Sequence, residues 1–215
     1  MQNDIDVRKR ILEIARPQFL RYGFRKATMS EIAAELGMSK KTVYEFFPSK
    51  ENLLRGVINE MQEEMEANTA ALIGSAQFDF VQKFKLLMEH CAVFYSKFNH
   101  NFHTDIQRNV PEVWKCCDEF RRERVRSHML AFLHEGIEAG YFRRDINEQV
   151  VMMVFSAAMQ SLLTPEVLAQ LPLSMSQVFE TIIKVMFEGL LTERARKNQL
   201  SSEIPILKLE EQIYG

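Results

Sequence analysis

A short run of cationic and hydroxyl-bearing residues offers the chemistry of nucleic-acid binding. Lys40, Lys41, Thr42 and Tyr44 stand around the apolar Val43. On a helix, their polar groups would point away from the side that carries Val43. A lysine can donate to guanine O6 and N7 in the major groove, whereas a hydroxyl holds a phosphate oxygen and fixes register. The predicted chemistry is therefore hydrogen bonding to DNA.

Two short predicted helices position this run. In the first, Thr28 and Glu31 have the spacing of a capping box, in which each side chain bonds the other residue's backbone amide. Gly37 supplies the left-handed residue that ends this helix. Ser39 is a favourable N-cap for the second helix, which we expect from Lys40 to about Phe47. This pattern predicts a helix-turn-helix, and the alternative is an ordinary helical hairpin with a solvated basic face.

The segment from Ile11 to Leu54 resembles the N-terminal domain of the tetracycline-repressor (TetR) family of bacterial transcription regulators. The resemblance rests on ILEIARPQFLRYGF followed by KATMSEIAAELGMSKKTVYEFFPSKENLL. It implies that Gly23 ends helix one and that residues 37–39 form the turn. It also implies that Tyr44 and Lys50 contact the DNA backbone.

Helix one is predicted from about Ile5 to Tyr22. Its apolar residues recur every four positions, which would direct them to one buried face. Pro17 departs from the family pattern, and we expect it to kink the helix because it cannot donate to the Glu13 carbonyl.

The candidate DNA-contacting residues share a cationic or polar group and a position in or just before the helix-turn-helix. Lys40 and Lys41 are the candidates for base contact, and the others are candidates for phosphate contact. At the start of helix two, the helix dipole would assist the hydroxyls. The set comprises Arg25, Lys26, Thr28, Ser30, Ser39, Lys40, Lys41, Thr42, Tyr44 and Lys50.

Charge is unevenly distributed along the 215 residues, although the net charge is only −2. Residues 1–55 carry 11 Lys and Arg against 7 Asp and Glu, and the remaining residues carry 16 against 22. A basic N-terminal part is directed toward a polyanion. No apolar run reaches the roughly 18 residues of a membrane-spanning helix, and the N-terminus lacks the pattern of a secretory signal. We therefore expect a cytoplasmic protein with operator DNA, not a membrane, as its partner.

The whole chain is predicted to be all-α, with about nine helices. A three-helix DNA-binding domain would occupy residues 1–50, and a larger ligand-binding and dimerisation domain residues 51–195. Residues 196–215 would form a tail. Within the larger domain we expect one long helix from Glu112 to Glu138 and a helix that starts at Gln77. The turn GIEAGYFRRD resembles one that precedes the last two helices in many TetR-family members.

The last two predicted helices are apolar around much of their circumference. They run from Glu148 to about Leu163 and from Ser176 to about Arg194. A helix that is apolar on all sides must be buried on all sides, so we expect one face in the protomer core and one in a homodimer. Burial within a single chain is the alternative. The candidate dimerisation residues are Val151, Phe155, Met159, Leu162, Phe179, Ile183, Met186 and Leu190.

The chain holds 16 Phe and 12 Met, and such side chains can line an adaptable apolar cavity. Each of them could equally be an ordinary core residue. The resemblance implies a small-molecule effector whose binding shifts the dimer away from the DNA-binding state. The candidate ligand-binding residues are Phe84, Met88, Phe94, Tyr95, Phe98, Trp114 and Phe155.

Cysteine and histidine spacing favours no redox or metal chemistry. Cys116 and Cys117 could form a redox sensor, but small buried hydrophobes are the more common role of such residues. His100 and His103 lie three apart, yet the four convergent ligands of a zinc site are not visible. We predict no metal and no cofactor.

Two other functional classes remain as alternatives. The pair His90 and Cys91 is the nearest approach to a catalytic arrangement, but no orienting carboxylate accompanies it, so we predict no enzyme. A TetR-like protein that acts through a protein partner without reading DNA is the second alternative. Salt-sensitive binding to duplex DNA would separate it from a regulator.

Overall fold

A computed structural model describes residues 2–97, 102–120, 123 and 126–197. Within these ranges the protein is all-α, as predicted, and its β pairing is a single isolated bridge between Phe142 and Leu191. No helix there is long and apolar enough to cross a membrane. The helices are α1 (Gln2–Lys26), α2 (Met29–Glu35), α3 (Lys40–Phe46), α4 (Lys50–Gly74), α5 (Phe80–Ser96), α6 (Phe102–Asn109), α7 (Pro111–Phe120), α8 (Arg126–Glu138), α9 (Glu148–Leu162), α10 (Pro165–Leu168), α11 (Met175–Leu190) and α12 (Glu193–Lys197).

The helices form two compact units. The first unit joins Met1–Met65 with Lys97–Phe120, and the second joins Glu66–Ser96 with Arg121–Gly215. These units are defined by contacts between residues. The predicted division at residue 50 separates a DNA-binding domain from a ligand-binding domain, and it stays a prediction. Most of the predicted tail, residues 198–215, lies outside the described residues.

The apolar stripe of α1 forms much of the core of the first unit. Ile11, Ala15 and Phe19 are fully buried, which confirms the four-residue spacing predicted for this helix. Each such large side chain contributes about 1.5–3 kcal/mol when it leaves water. Helix α1 packs against both α2 and α6, so the DNA-binding segment shares its core with a helix more than 70 residues away in sequence.

Helix α1 breaks at Gly23 rather than at Pro17. Gly23 adopts φ 81° and ψ 173°, a combination that essentially only glycine occupies, while Pro17 lies within helical backbone. The helix thus continues through Pro17, and the bend expected there stays a prediction. Ala15 and Phe19 flank Pro17 and are both buried, so core packing holds the helix through its missing hydrogen bond.

Stacked aromatic rings organise the core of the second unit. Phe132 of α8 stacks on two rings of α5, with centroids 4.7 Å from Phe80 and 5.6 Å from Phe84. Phe84 also contacts Phe187 of α11 at 4.0 Å. Such pairs add to the free energy of burial because ring edges and faces carry opposite partial charge.

A tight turn follows α8. Gly140 has φ 78°, and the amides of Tyr141 and Phe142 both donate to the carbonyl of Gly136, at 2.9 and 3.0 Å. A Cβ at Gly136 would lie 2.3 Å from the ring of Phe142, so only glycine fits there. The turn then pairs with the end of α11, because the amide of Arg143 donates to the Leu190 carbonyl at 2.9 Å.

The middle of the chain departs from the predicted helix boundaries. The described residues of the segment expected as one helix, Glu112 to Glu138, form the two helices α7 and α8, which belong to different units. Helix α5 begins at Phe80 rather than Gln77. Asp79 caps it, because its carboxylate accepts from the Gln82 amide at 2.9 Å.

Candidate nucleic-acid interface

Helix α3 presents the cationic run that the sequence predicted. Its N-cap is Ser39, whose hydroxyl accepts from the Thr42 amide at 3.0 Å. Val43 is fully buried, and Lys40, Lys41 and Tyr44 are exposed. The buried valine fixes the rotation of the helix, so its polar side faces solvent.

Lys40 and Tyr44 interact on that exposed side. The Lys40 ammonium lies 5.9 Å from the Tyr44 ring centroid, one turn away on the same helical face. This contact orders two long side chains at the beginning of the helix. Thr42 is half-buried, and its hydroxyl lies 2.9 Å from that of Ser39. These two side chains therefore stabilise the start of α3, in addition to the phosphate contact predicted for them.

The start of α2 is capped, but differently from the predicted box. The Thr28 hydroxyl accepts from the Glu31 amide at 3.2 Å, as expected. The Glu31 carboxylate, however, accepts from the Thr28 hydroxyl at 2.6 Å and not from its backbone amide. Thr28 and Ser30 are both exposed at this helix start, where an anion is favoured by the helix dipole.

Arg25 and Lys26 are exposed just after the break at Gly23. Their loop is anchored from α6, because the Arg25 amide donates to the Asp105 carboxylate at 3.1 Å. The Arg25 guanidinium and the Lys26 ammonium therefore extend from a fixed backbone.

Lys50 occupies a structural position that the sequence did not reveal. Its ammonium donates to the carbonyls of Ala27, at 2.9 Å, and Arg25, at 3.4 Å, and lies 4.4 Å from the Phe24 ring centroid. Burial lowers the pKa of Lys50, and the nearby Asp105 carboxylate opposes that effect. In this arrangement Lys50 holds the backbone of the loop before α2. Lys50 thus holds the loop, in addition to the phosphate contact predicted for this residue.

Arg8 was not among the predicted site residues, yet it contacts the far end of α3. Its guanidinium donates to the Phe46 carbonyl at 3.4 Å and lies 4.4 Å from the ring centroid of Phe47. A cation beside the last carbonyls of a helix is stabilising. The sequence carries no local signal for this contact, because 38 positions separate Arg8 from Phe46.

Comparison with known proteins agrees with this geometry. Residues 11–57 match the family of bacterial regulatory proteins, tetR family. The match covers the helix-turn-helix and the helices on either side of it. It is 24% identical over 163 residues to the HTH-type transcriptional regulator YvaF of Bacillus subtilis (strain 168), covering 76% of this chain and 85% of that protein. It is 29% identical over 153 residues to the HTH-type transcriptional repressor KstR2 of Mycobacterium tuberculosis, covering 67% and 73%.

Solved structures of TetR regulators share the fold. The ketosteroid transcriptional regulator KstR2 of Mycobacterium tuberculosis matches with a TM-score of 0.51 at 20% identity, over 86% of this chain and 95% of that one. The fatty acid degradation regulator FadR from Bacillus halodurans matches with a TM-score of 0.61 at 18% identity, over 85% and 95%. At 18–20% identity, these matches show a shared fold.

A small apolar pocket lies between helices of the second unit. Its volume is about 20 Å³, little more than one water molecule needs. The lining comes from α8, α9, α11 and the turn after α8: Met129, Phe132, Leu133, Phe142, Val151, Met152, Phe155, Ile183, Met186, Phe187 and Leu190. An effector of ordinary size would have to displace some of these side chains.

The predicted ligand-binding residues are scattered. Phe155 lines the pocket, while Phe84 and Met88 are core residues of the second unit. Phe94 is half-buried on α5, and Trp114 is half-buried on α7 in the first unit. Tyr95 lies on α5, and Phe98 lies outside the described residues.

The predicted dimerisation residues mostly face the protomer core. Most of them are buried or half-buried within the protomer, and their contact with a second protomer stays a prediction. Phe155, Met159, Phe179, Ile183 and Leu190 are buried, Val151 and Met186 pack against the same core, and Leu162 is exposed. Besides Leu162, the large apolar side chains that α9 exposes are Val150, Met153 and Val154. Because α9 is apolar on several sides, its sequence alone did not show which side packs into the core of the protomer.

The cysteines and histidines show no catalytic arrangement in the described parts of the chain. Burial raises the pKa of the Cys91 thiol to about 12, so it stays protonated at neutral pH. Cys116 is exposed, and its Sγ accepts a hydrogen bond from the Arg55 guanidinium at 3.2 Å. No group of three or more His, Cys, Asp or Glu that could hold a metal occurs among these residues, and His100 lies outside them.

Proposed function

We propose that this chain is a transcriptional repressor of the TetR family that binds operator DNA as a homodimer. The observation that carries the proposal is the rotation of α3, which buries Val43 and exposes Lys40, Lys41 and Tyr44. A helix in the major groove needs this separation of a packing side from a hydrogen-bonding side. KstR2, at 29% identity, is described as a repressor, which supports the same direction of regulation here.

The residues divide into two roles. Lys40 and Lys41 donate to guanine edges and set sequence preference. The remaining candidates hold phosphates and set register: Arg25, Lys26, Thr28, Ser30, Ser39, Thr42, Tyr44 and Lys50. A protein that binds a chromosomal operator acts in the cytoplasm, and residues 1–50 would form its DNA-binding domain.

The exposed apolar side of α9 supports the homodimer. Val150, Met153 and Val154 occupy positions i, i+3 and i+4, so they share one helical face. Val185 of α11 is also exposed, at 70%. A homodimer that binds an operator would present its two copies of α3 to half-sites roughly 34–36 Å apart.

A small apolar or amphipathic effector would release the DNA. The pocket in the second unit is lined by methionines that can change rotamer, which makes a larger cavity accessible. KstR2 is described as a ketosteroid regulator, and this description favours an apolar effector here too. The effector acts only if it binds the released state more tightly than the DNA-bound state.

The test is DNA binding across a salt series, by fluorescence anisotropy. The duplexes are the intergenic DNA beside the gene and a scrambled sequence of equal length. Wild-type protein should bind the intergenic duplex selectively, with affinity that falls steeply as salt rises. The double variant Lys41→Ala with Tyr44→Ala should lose the selectivity. Lys9→Ala, which removes an exposed lysine of α1, is the matched control and should retain it.

A regulator that works only through a protein partner is the second candidate. It predicts equal, weak binding to both duplexes at every salt concentration. That result would overturn the proposal of operator binding.

A further inference from the structure

Helices α5 and α8 face each other in antiparallel register in the second unit. The rings of Phe80 and Phe84 on α5 both stack on Phe132 of α8. Between them, the Lys83 ammonium pairs with the Glu135 carboxylate at 2.8 Å. A Cβ on Gly136 of α8 would lie 2.7 Å from the Phe80 ring, whereas Phe84 stacks on Phe132, so residue numbers fall along α8 as they rise along α5.

One further turn along this register brings His128 to the level of Met88. His128 precedes Phe132 by four residues and Met88 follows Phe84 by four, so each continues the face already in contact. Met88 is buried in the core of the unit. His128 itself is half-buried.

The Nε2 atom of His128 is buried and has no hydrogen-bond partner among the described residues. A buried polar group without a partner loses its hydration without compensation, so it is unfavourable in a finished core. Apolar residues would pack better at this position. The cost of burying Nε2 is offset when a bound molecule supplies the missing hydrogen-bond partner.

Met129, which follows His128 on α8, lines the apolar pocket. Phe132 belongs both to the pocket lining and to the α5–α8 contact. His128 is one helical turn away, about 6 Å along α8. Three of the lining residues, Met129, Met152 and Met186, are unbranched and can rotate to enlarge the space.

We propose that His128 is the polar anchor of the effector site. The ligand has an apolar body, which occupies the methionine-lined pocket, and one oxygen function, which hydrogen-bonds to Nε2 of His128. The inference rests on the effector part of the proposed function and specifies the chemical class of the effector. A neutral imidazole serves a hydroxyl or carbonyl, and a protonated one serves a carboxylate.

The test measures ligand binding without DNA. Octanoate, 1-octanol and octane share an apolar chain, and only the first two carry oxygen. We expect at least one oxygen-bearing probe to bind wild-type protein about tenfold more tightly than octane, by calorimetry or NMR titration. Preference for octanoate identifies a carboxylate ligand, and preference for 1-octanol identifies a hydroxyl ligand.

His128→Leu should remove this preference while binding of octane is retained, because leucine keeps the apolar volume. His134→Leu is the matched control on the same helix, since the His134 side chain is 67% exposed, and it should bind like wild type. Imidazole NMR signals of wild-type protein give an independent readout: the His128 signals should shift with the oxygen-bearing probe and not with octane.

Equal affinity of wild type and His128→Leu for the oxygen-bearing probes would overturn the proposal. So would the absence of any probe binding to wild-type protein at millimolar concentration. Because no DNA is present, either failure would leave operator binding untouched. Loss of DNA selectivity in the salt series would likewise not affect the binding of the octanoate, 1-octanol and octane probes.

Discussion

The carboxylate of Asp105 on α6 accepts a hydrogen bond from the backbone amide of Arg25, at 3.1 Å, two residues after the break at Gly23. The Asn109 amide donates to the same side chain at 2.8 Å, which fixes its orientation. Asp105 also attracts the Lys50 ammonium that holds the same loop. The loop with the phosphate-binding candidates Arg25 and Lys26 is therefore positioned from α6, within the first unit.

Removal of the Asp105 carboxylate should weaken DNA binding through the position of this loop. We expect Asp105→Ala to lower operator affinity about three- to tenfold and stability by about 1–2 kcal/mol, because a charged acceptor is lost from a backbone amide. Asp105→Asn keeps an acceptor and should lose less. Anisotropy and urea unfolding measure the two effects, and unchanged affinity in Asp105→Ala would contradict the positioning role.

Gly23→Ala should destabilise the same corner. A Cβ there would lie 2.6 Å from Oδ2 of Asp105, in a backbone conformation that disfavours side chains. We expect a loss of about 1–3 kcal/mol in the free energy of unfolding. Gly74→Ala is the matched control, since its Cβ would meet nothing within 4 Å. Equal stability of the two variants in urea would show that Gly23 is not required.

The structural position of Lys50 can be separated from a phosphate contact by salt dependence. Lys50→Met removes the donors to the Ala27 and Arg25 carbonyls, so stability should fall by about 1 kcal/mol or more. If Lys50 acts only on the loop, the slope of log affinity against log salt should match that of wild type. A slope lower by about 0.9 would instead demonstrate a direct phosphate contact.

A charge on the exposed side of α9 should dissociate the dimer. Met153 is 71% exposed, and Met153→Glu would bury a carboxylate in an apolar contact between two copies. We expect the variant to be monomeric by light scattering and to bind operator more weakly. Val93→Glu on α5, where the side chain is 57% exposed, is the matched control and should stay dimeric. A dimeric Met153→Glu would place the dimer contact elsewhere.

Thiol reactivity should differ sharply between Cys91 and Cys116. Burial disfavours the thiolate and raises the pKa of Cys91 to about 12, so at pH 8 its reactive fraction is on the order of 10⁻⁴. Cys116 is exposed. Iodoacetamide at pH 8 should label Cys116 in native protein and Cys91 only after unfolding, as read by mass spectrometry. Rapid native labelling of Cys91 would contradict its burial.

Local features were predictable from the sequence because they depend on residues a few positions apart. The caps at Thr28 and Ser39 and the left-handed Gly37 were all predicted and are all present. The same reasoning predicted that Val43 is buried and its polar neighbours exposed. The helix-turn-helix, and with it the match to the tetR family over residues 11–57, was therefore accessible from the sequence alone.

Contacts between distant segments were decided only by the tertiary structure. Asp105 meets Arg25 across 80 positions, and no periodicity or cap encodes such a pairing. The core side of α9 was likewise undetermined, because a helix that is apolar all round has no single predicted inner face. The sequence determined the helix-turn-helix and its polar face through short-range geometry. Packing decided which lysines are exposed, which apolar side chains α9 exposes, and that Nε2 of His128 is buried.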